Sequence, residues 1–392
     1  MSKYTILFLL SSIQWIYSQS VNFEKSIETA FEKAKANNKI VFIEYYNTDC
    51  SICKSIEPLF DNPEIAAFYN SNFVSYKMNL KNGLNGQDSL FMAQTKLKFS
   101  GVPFFLFFDN AKNFIHYSGA KNDVNYILNI GKKALNKDER LGNVENKYNA
   151  GDRSIKTLYS YTDLLQLQQD YAMANKVTSQ LYEVYPKQNL SSHQSYLILK
   201  NAVTSIDNGF FKYWYENKDK LTGFEKGPNS GTEIKLLEQI VIQSIRNEKQ
   251  DWDLSKIKEV KQITVNLGMS KDGNDFLWED EVNLLIKYNE NEETQNLFKL
   301  LLNQSKNIYS SLYITDYFVN RANEPLVIKT ILVSIQELMK SDMEAEQKGD
   351  LMLQELICYQ KLKDFSNLNS KKQKALDFYK KSGLDTELLN QL

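Results

Sequence analysis

The order of apolar segments between residues 23 and 135 constrains the fold of this chain more than any other feature. Amphipathic segments alternate with short runs of β-branched and aromatic residues, and the last two such runs are adjacent. Strands are predicted at 39–46, 72–80, 102–109 and 114–120. Helices are predicted at 23–37, at 50–60, from 62 onward, at 89–99 and at 122–135. Strands that alternate with helices and end in a hairpin predict a mixed sheet covered by helices on both faces.

Beyond about residue 150 the strand pattern disappears, and amphipathic helical segments follow one another to the C-terminus. Proline occurs there only at Pro186, Pro228 and Pro325, so little interrupts the helices. The pattern predicts stacked helical hairpins. A tetratricopeptide-like array is an alternative suggested by residues 170–186, although a period of about 34 residues does not persist.

The first residues have the pattern of a secretory signal. One lysine precedes a run of 14 residues, from Tyr4 to Tyr17, that contains no charge. Ser18 before Gln19 is a suitable cleavage point, and the run is shorter than the about 20 apolar residues that a membrane-spanning helix needs. We therefore expect a signal peptide at residues 1–18 and an exported, periplasmic or extracellular protein. An uncleaved membrane anchor is the alternative.

The charge balance argues against two classes of partner. Lysine and arginine total 47 and aspartate and glutamate total 48, so the chain has no net basic field that would attract nucleic acid or acidic lipid. We expect no nucleic-acid partner and, once the signal is removed, no insertion into a membrane.

The cysteines suggest redox chemistry. Only Cys50, Cys53 and Cys358 occur, and a large exported chain with one close pair keeps that pair for chemistry rather than as a disulfide framework. A zinc site needs about four ligands, so Cys358, His116 and His193 would have to converge on the pair from remote positions. A structural disulfide within one helical turn would restrict little chain entropy and stabilise little. We expect no metal and no cofactor.

The pair is predicted to be asymmetric. Cys50 falls at the N-terminus of its helix, with Thr48 or Asp49 available as N-cap, where backbone N–H groups and the helix dipole favour a thiolate. Cys53 lies one turn further into the helix and is less accessible. These positions predict Cys50 as the nucleophile and Cys53 as the resolving thiol.

The sequence resembles thioredoxin over about residues 20–140, and the match extends well beyond the two cysteines. The matching positions are Glu44, Lys54, the helix-kinking Pro58, Lys77, Pro103 and Gly119. Residues 61–80 further resemble an exported thioredoxin-like branch that includes the C-terminal domain of the transmembrane disulfide interchange reductase. The resemblance implies an α/β thioredoxin fold followed by an all-α helical-hairpin domain. The predicted divisions are a signal peptide at 1–18, a thioredoxin-like domain at 19–140, a linker at 141–152 and an α-helical domain at 153–392.

The resemblance also implies roles for several residues. Glu44 would be a buried acid whose pKa rises through desolvation until it can accept a proton from Cys53. A purely structural Glu44, satisfied by Lys77, is the alternative. Val102 and Pro103, joined by a cis peptide bond, would expose a backbone edge beside the nucleophile, where a substrate segment could bind as an added strand.

The sequence departs from thioredoxin next to the nucleophile. Asp49 stands where thioredoxins have Trp, and Ser51 and Ile52 replace Gly-Pro. An adjacent carboxylate is expected to raise the pKa of Cys50, which disfavours a strongly oxidising role. Glutamate instead of aspartate at Glu44 lengthens the acid by one methylene group.

The remaining conspicuous residues are predicted to be structural. Cys358 shares an apolar helix face and is expected to be a buried, inert thiol. His116 and His193 have no visible partner in the sequence and are expected to be structural or solvated. The aromatic segment at 208–221 is predicted to be core rather than a recognition surface.

The sequence thus predicts an exported thiol-disulfide oxidoreductase, a reductase or isomerase rather than an oxidase. It would act on protein disulfides and depend on an external electron-donor protein. The alternative is a binding or adaptor protein of the cell envelope, in which the thioredoxin-like domain is a scaffold and the helical domain binds partners. The sequence leaves the oligomeric state open.

Overall fold

A five-stranded mixed sheet forms the centre of the N-terminal region. The structure is a computed structural model that describes residues 20–99 and 101–392, so the predicted signal segment lies outside the described residues. The strands are β1 (Phe23–Glu24), β2 (Ile40–Tyr46), β3 (Phe73–Asn79), β4 (Phe104–Phe108) and β5 (Phe114–Gly119). Their order is β1-β3-β2-β4-β5. β3 pairs in parallel with β1 and β2, whereas β4 pairs antiparallel with β2 and β5, so the predicted mixed sheet is confirmed.

The helices around this sheet lie close to their predicted positions. They are α1 (Ile27–Asn37), α2 (Ser51–Ile56), α3 (Pro63–Asn72), α4 (Gly86–Thr95) and α5 (Val124–Leu135). The prediction was wrong at the start of α1. Phe23 and Glu24 form β1 beside Ser75 and Tyr76, and the helix begins only after the N-cap Ser26, whose hydroxyl accepts from the Thr29 N–H.

The predicted helix at 50–60 is two elements. α2 ends at Ile56, and a 3-10 helix continues over Glu57–Asp61 with Pro58 in its first turn. Proline has no N–H to donate to the preceding turn, so it suits this change of helix type. The bend places Phe60 in the core, where it is buried.

Aromatic side chains fill one face of the sheet. Phe42 of β2 contacts Phe105 with ring centroids 5.0 Å apart and Tyr69 of α3 at 4.8 Å. Phe42, Phe105 and Tyr69 are fully buried, and edge-to-face geometry at these distances adds to the free energy gained by burying the rings. This cluster anchors β2, which carries the candidate acid.

The rest of the described chain is helical, as predicted. The next helices are α6 (Val144–Asn149), α7 (Ile155–Leu167), α8 (Tyr171–Val184), α9 (His193–Ala202) and α10 (Gly209–Glu216). The C-terminal helices are α11 (Ile234–Glu248), α12 (Leu254–Asn266), α13 (Asn274–Lys287), α14 (Asn291–Gln304), α15 (Ile308–Arg321), α16 (Pro325–Leu338), α17 (Ala345–Lys361), α18 (Phe365–Ser382) and α19 (Glu387–Gln391). Many begin at a polar N-cap: Asp253, Asn307 and Asp364 each accept from a backbone N–H three positions on.

The described part of the chain divides into two compact units, with the boundary between residues 230 and 231. The first unit therefore contains the sheet together with α6 to α10. The predicted linker at 141–152 contains a 3-10 turn and α6, and Val144 and Tyr148 are buried there. Domain boundaries at 140 and 153 stay a prediction, as does a repeat period in the helical region.

Helix α7 and the 3-10 turn at Leu141–Asn143 contact β5 and the loop after α4. The Tyr117 hydroxyl of β5 donates to Asp163 of α7 at 2.6 Å, and the Lys98 N–H donates to the Leu167 carbonyl at 3.0 Å. Gly142 approaches the β5 backbone so closely that a Cβ there would overlap the Phe114 carbonyl oxygen. The helical segment is thus part of the same compact unit as the sheet.

Burial confirms two structural predictions. In the aromatic segment, Phe210, Phe211 and Trp214 are core residues, and the Trp214 indole donates to the Ser195 hydroxyl at 3.1 Å. Cys358 of α17 is fully buried in the second unit. Among the described residues, no helix has the length and apolar character required to span a bilayer.

Candidate active site

Cys50 is itself the N-cap of α2. Its backbone is extended, with φ −76° and ψ 123°, and its sulfur accepts a hydrogen bond from the Cys53 N–H at 3.2 Å. The prediction of Thr48 or Asp49 as N-cap was therefore wrong. A thiolate is still favoured at Cys50, because the helix directs backbone N–H groups at its sulfur.

The pKa of the Cys50 thiol is lowered from its ordinary value. Burial alone would raise this pKa, but hydrogen bonds from the Cys53 thiol and from the N–H groups of Cys53 and Ile52, together with the Lys54 charge, outweigh burial. The expectation that Asp49 would raise this pKa was wrong. The Asp49 carboxylate pairs with Lys81 at 3.1 Å, and both side chains are exposed, so solvent and Lys81 screen the negative charge.

Cys53 has the opposite environment. Only 3% of the residue is exposed, and burial raises the pKa of its thiol to about 11, with Cys50 and Glu44 adding to the increase and the Asn47 N–H opposing it. The structure records both cysteines as free thiols. The two thiols therefore differ in accessibility and acidity in the direction that the sequence predicted.

Glu44 lies in the middle of β2 and is completely buried. Burial raises the pKa of its carboxyl to about 7, Lys77 opposes this increase, and Glu57 adds to it. Glu44 and Lys77 are register partners in neighbouring parallel strands, and Lys77 Nζ lies 3.6 Å from Glu44 Oε2. Neither carboxyl oxygen has a hydrogen-bond partner among the described residues.

Lys77 has a second acidic partner that the sequence analysis missed. Its ammonium donates to the carboxylate of Glu57, the first residue of the 3-10 helix. The spacing contained a signal, since Glu57 follows Cys53 by four positions and so lies one helical turn beyond it. Lys81, the partner of Asp49, was also missed.

The loop before β4 faces the nucleophile. The Val102–Pro103 peptide bond is cis, as the resemblance implied, and the Cys50 thiol lies 3.9 Å from the Val102 carbonyl oxygen. Ile52, between the two cysteines, is 53% exposed. A backbone carbonyl and an apolar side chain therefore border the accessible thiol.

The other candidate ligands, His116, His193 and Cys358, each have surroundings of their own. No group of three or more histidine, cysteine or acidic residues in the described part of the chain could hold a metal ion. His116 of β5 is buried, and burial, aided by Lys133 and Arg140, lowers its pKa to about 4. His193 stacks on Tyr196 and Phe224. Burial raises the pKa of Cys358 to about 12, which fits an inert thiol.

The comparison with protein-family models agrees with this geometry. Residues 20–130 match the family model described as Thioredoxin. No curated protein matches the chain. The matched range contains all five strands and both thiols. The N-terminal region of this chain is therefore a thioredoxin domain with a close cysteine pair, and a large all-helical region follows it.

Proposed function

We propose that this protein is an exported thiol-disulfide oxidoreductase that acts on protein disulfides as a reductase or isomerase. The observation that carries the proposal is the opposed character of the two thiols. Cys50 is accessible with a lowered pKa, whereas Cys53 is buried with a raised pKa and lies within the electrostatic influence of Glu44. A pair of this kind attacks with one thiol and resolves with the other.

In the first step, the Cys50 thiolate attacks one sulfur of a substrate disulfide. A bond forms between Cys50 and that sulfur, and the other substrate sulfur leaves as a thiolate that takes a proton from water. The lowered pKa of Cys50 supplies the thiolate near neutral pH.

In the second step, the Cys53 proton passes to Glu44 and the Cys53 thiolate attacks Cys50. The Cys50–Cys53 bond forms and the substrate leaves as its second thiolate, so the substrate gains two electrons and the pair becomes a disulfide. In the mixed disulfide the Cys50 charge and thiol no longer raise the pKa of Cys53, which makes this proton transfer easier than in the free protein. An external thiol protein must then reduce the pair.

Glu44 supplies the proton acceptor that the reductive direction requires. A buried carboxyl with a pKa of about 7 can accept the proton of the resolving thiol near neutral pH when the substrate is reduced, and it returns that proton when the reaction runs in the oxidising direction. Asp49 gives no support for the reductive direction, because its carboxylate is paired with Lys81. The lowered pKa of Cys50 stabilises the reduced pair, which by itself makes the pair more oxidising. A measurement of the reduction potential must therefore decide the direction of electron flow.

A protein segment in extended conformation is the substrate that best fits the surroundings of Cys50. The Val102 carbonyl beside Cys50 offers a backbone acceptor, and exposed Ile52 offers an apolar contact. Backbone pairing binds many sequences, which suits an enzyme acting on varied disulfides.

The test is disulfide reduction by the purified protein, with insulin as substrate and dithiothreitol as electron donor. Cys50→Ser should abolish the activity, and Cys53→Ser should accumulate a mixed disulfide through Cys50. Cys358→Ser is the matched control, because it removes a buried thiol outside the pair and should retain activity. A wild-type chain whose pair never cycles between dithiol and disulfide would exclude the enzyme and favour the adaptor function.

Two further measurements address the direction and the location. A reduction potential near −270 mV would support a reductase, whereas one of about −120 mV would indicate an oxidant. Export is supported by the apolar N-terminal run, and N-terminal sequencing of the protein from fractionated cells tests it. A protein that starts at Met1 in the cytosol would refute export.

A further inference from the structure

Glu57 shares the Lys77 ammonium with the buried acid Glu44. Lys77 Nζ donates a hydrogen bond to Glu57, while its separation of 3.6 Å from Glu44 Oε2 is that of an ion pair. Glu57 is 54% exposed and Glu44 is not exposed at all. Of its two acidic partners, Lys77 therefore lies closer to the exposed carboxylate of Glu57 than to the buried carboxyl of Glu44.

Aromatic rings restrict where the Lys77 ammonium can lie. Its Nζ atom is 4.6 Å from the ring centroid of Phe23, 5.1 Å from that of Phe60 and 5.8 Å from that of Tyr46. Cation–π attraction to these rings keeps the ammonium between the two acids. Loss of the negative charge at one of the two acids is thus expected to move the ammonium toward the other acid.

The charged and titratable groups around Glu44 come from three neighbouring elements and from β2 itself. β3 contributes Lys77, the 3-10 helix contributes Glu57, and α2 contributes Cys53. Tyr46 lies further along β2 itself. On β4, the register partner of Glu44 is Phe105, which does not titrate. Lys77 is the only cation among these groups, so its position has a large influence on the pKa of Glu44.

We propose that Glu57 is a positioning residue: it holds the Lys77 ammonium back from Glu44 and thereby sets the pH at which Glu44 takes up the Cys53 proton. The inference rests on the proposed function, since it concerns the base of the resolving step. Without Glu57, Lys77 would hydrogen-bond Glu44 and hold it as a carboxylate. A more stable carboxylate is a weaker base, so the resolving step would slow at neutral pH.

The test is a titration of Glu44 in the full-length chain, followed by ¹³C NMR of glutamate carboxyl groups and assigned with Glu44→Gln. Glu57→Gln should lower the midpoint of Glu44 by about one pH unit. The pH profile of mixed-disulfide resolution should shift in the same direction. Glu32→Gln is the charge-matched control, because Glu32 is an exposed residue in the middle of α1, and it should leave both readouts unchanged.

A second comparison tests whether Glu57 acts through Lys77. In a Lys77→Met background, Glu57→Gln should shift the Glu44 midpoint much less than in the wild type. An equal shift in both backgrounds, or an unchanged midpoint in an active Glu57→Gln protein, would overturn the inference and leave the proposed function intact. A wild-type chain that reduces no disulfide would refute the proposed function and, with it, the role of Glu57 in the reaction.

Discussion

The buried carboxyl of Glu44 should make this domain less stable as the pH rises. Its pKa is about 7 in the folded protein against 4.5 for an unperturbed glutamate, so between these values the folded state binds more protons than the unfolded state. The free energy of unfolding then falls as the pH rises through this window and is level above it. At about 1.4 kcal/mol per pH unit the full difference is about 3 kcal/mol.

Glu44→Gln isolates this contribution, because glutamine does not titrate. The difference in unfolding free energy between about pH 5 and about pH 8 should be about 3 kcal/mol smaller in the variant than in the wild type. Burying an amide adds a cost that does not depend on pH, so only the pH dependence is interpreted. Glu32→Gln again serves as the control, since an exposed glutamate should not change the slope.

Urea unfolding read by pulse proteolysis suits a chain with two compact units. Survival of the segment that contains β2 reports on the sheet separately from the C-terminal helices. Equal pH dependence in the wild type and in Glu44→Gln would refute the reasoning. The reasoning would also be refuted if, as the pH rises through this window, the wild type became more stable relative to the variant.

Three further results are expected. Iodoacetamide should alkylate Cys50 in the native protein and at lower pH than an ordinary thiol, whereas Cys358 should react only after unfolding; mass spectrometry of tryptic peptides distinguishes the two. Gly142→Ala should destabilise the first unit by about 1–3 kcal/mol, because a Cβ would overlap a backbone carbonyl of β5; an unchanged urea midpoint would contradict this. Tyr117→Phe should cost about 1–3 kcal/mol, since it removes the 2.6 Å hydrogen bond to Asp163; Asp163→Asn in the same background should recover part of the loss.

Sequence reasoning located most elements because each leaves a local pattern. β2 is a continuous apolar run with few polar residues, and α5 repeats apolar residues at helical spacing, so both were predicted to within a few residues. β1 was missed because its two residues are too few for a period and are defined by pairing with β3. A strand that exists only through a distant partner has no local signal.

For the candidate site, the sequence predicted the positions of the residues and the opposed acidity of the two thiols, but not which charges pair. The spacing of Cys50 and Cys53 within one helical turn, and Glu44 in the preceding strand, follow from the sequence. The effect of Asp49 on the pKa of Cys50 does not follow from the sequence, because Lys81, the partner of Asp49, lies 32 residues away in the chain. No local pattern in the sequence indicates that the Asp49 carboxylate is paired.

What the sequence determined by itself is therefore the order of the longer strands and helices and the identity of the two thiols, since both depend on residues that are close in the chain. The tertiary structure alone decided how acidic each group is. Burial of Cys53 and Glu44, and the choice of Lys77 between its two acids, depend on distances between remote segments. Because electrostatic energies vary with those distances and with the exclusion of water, they exist only after the chain has folded.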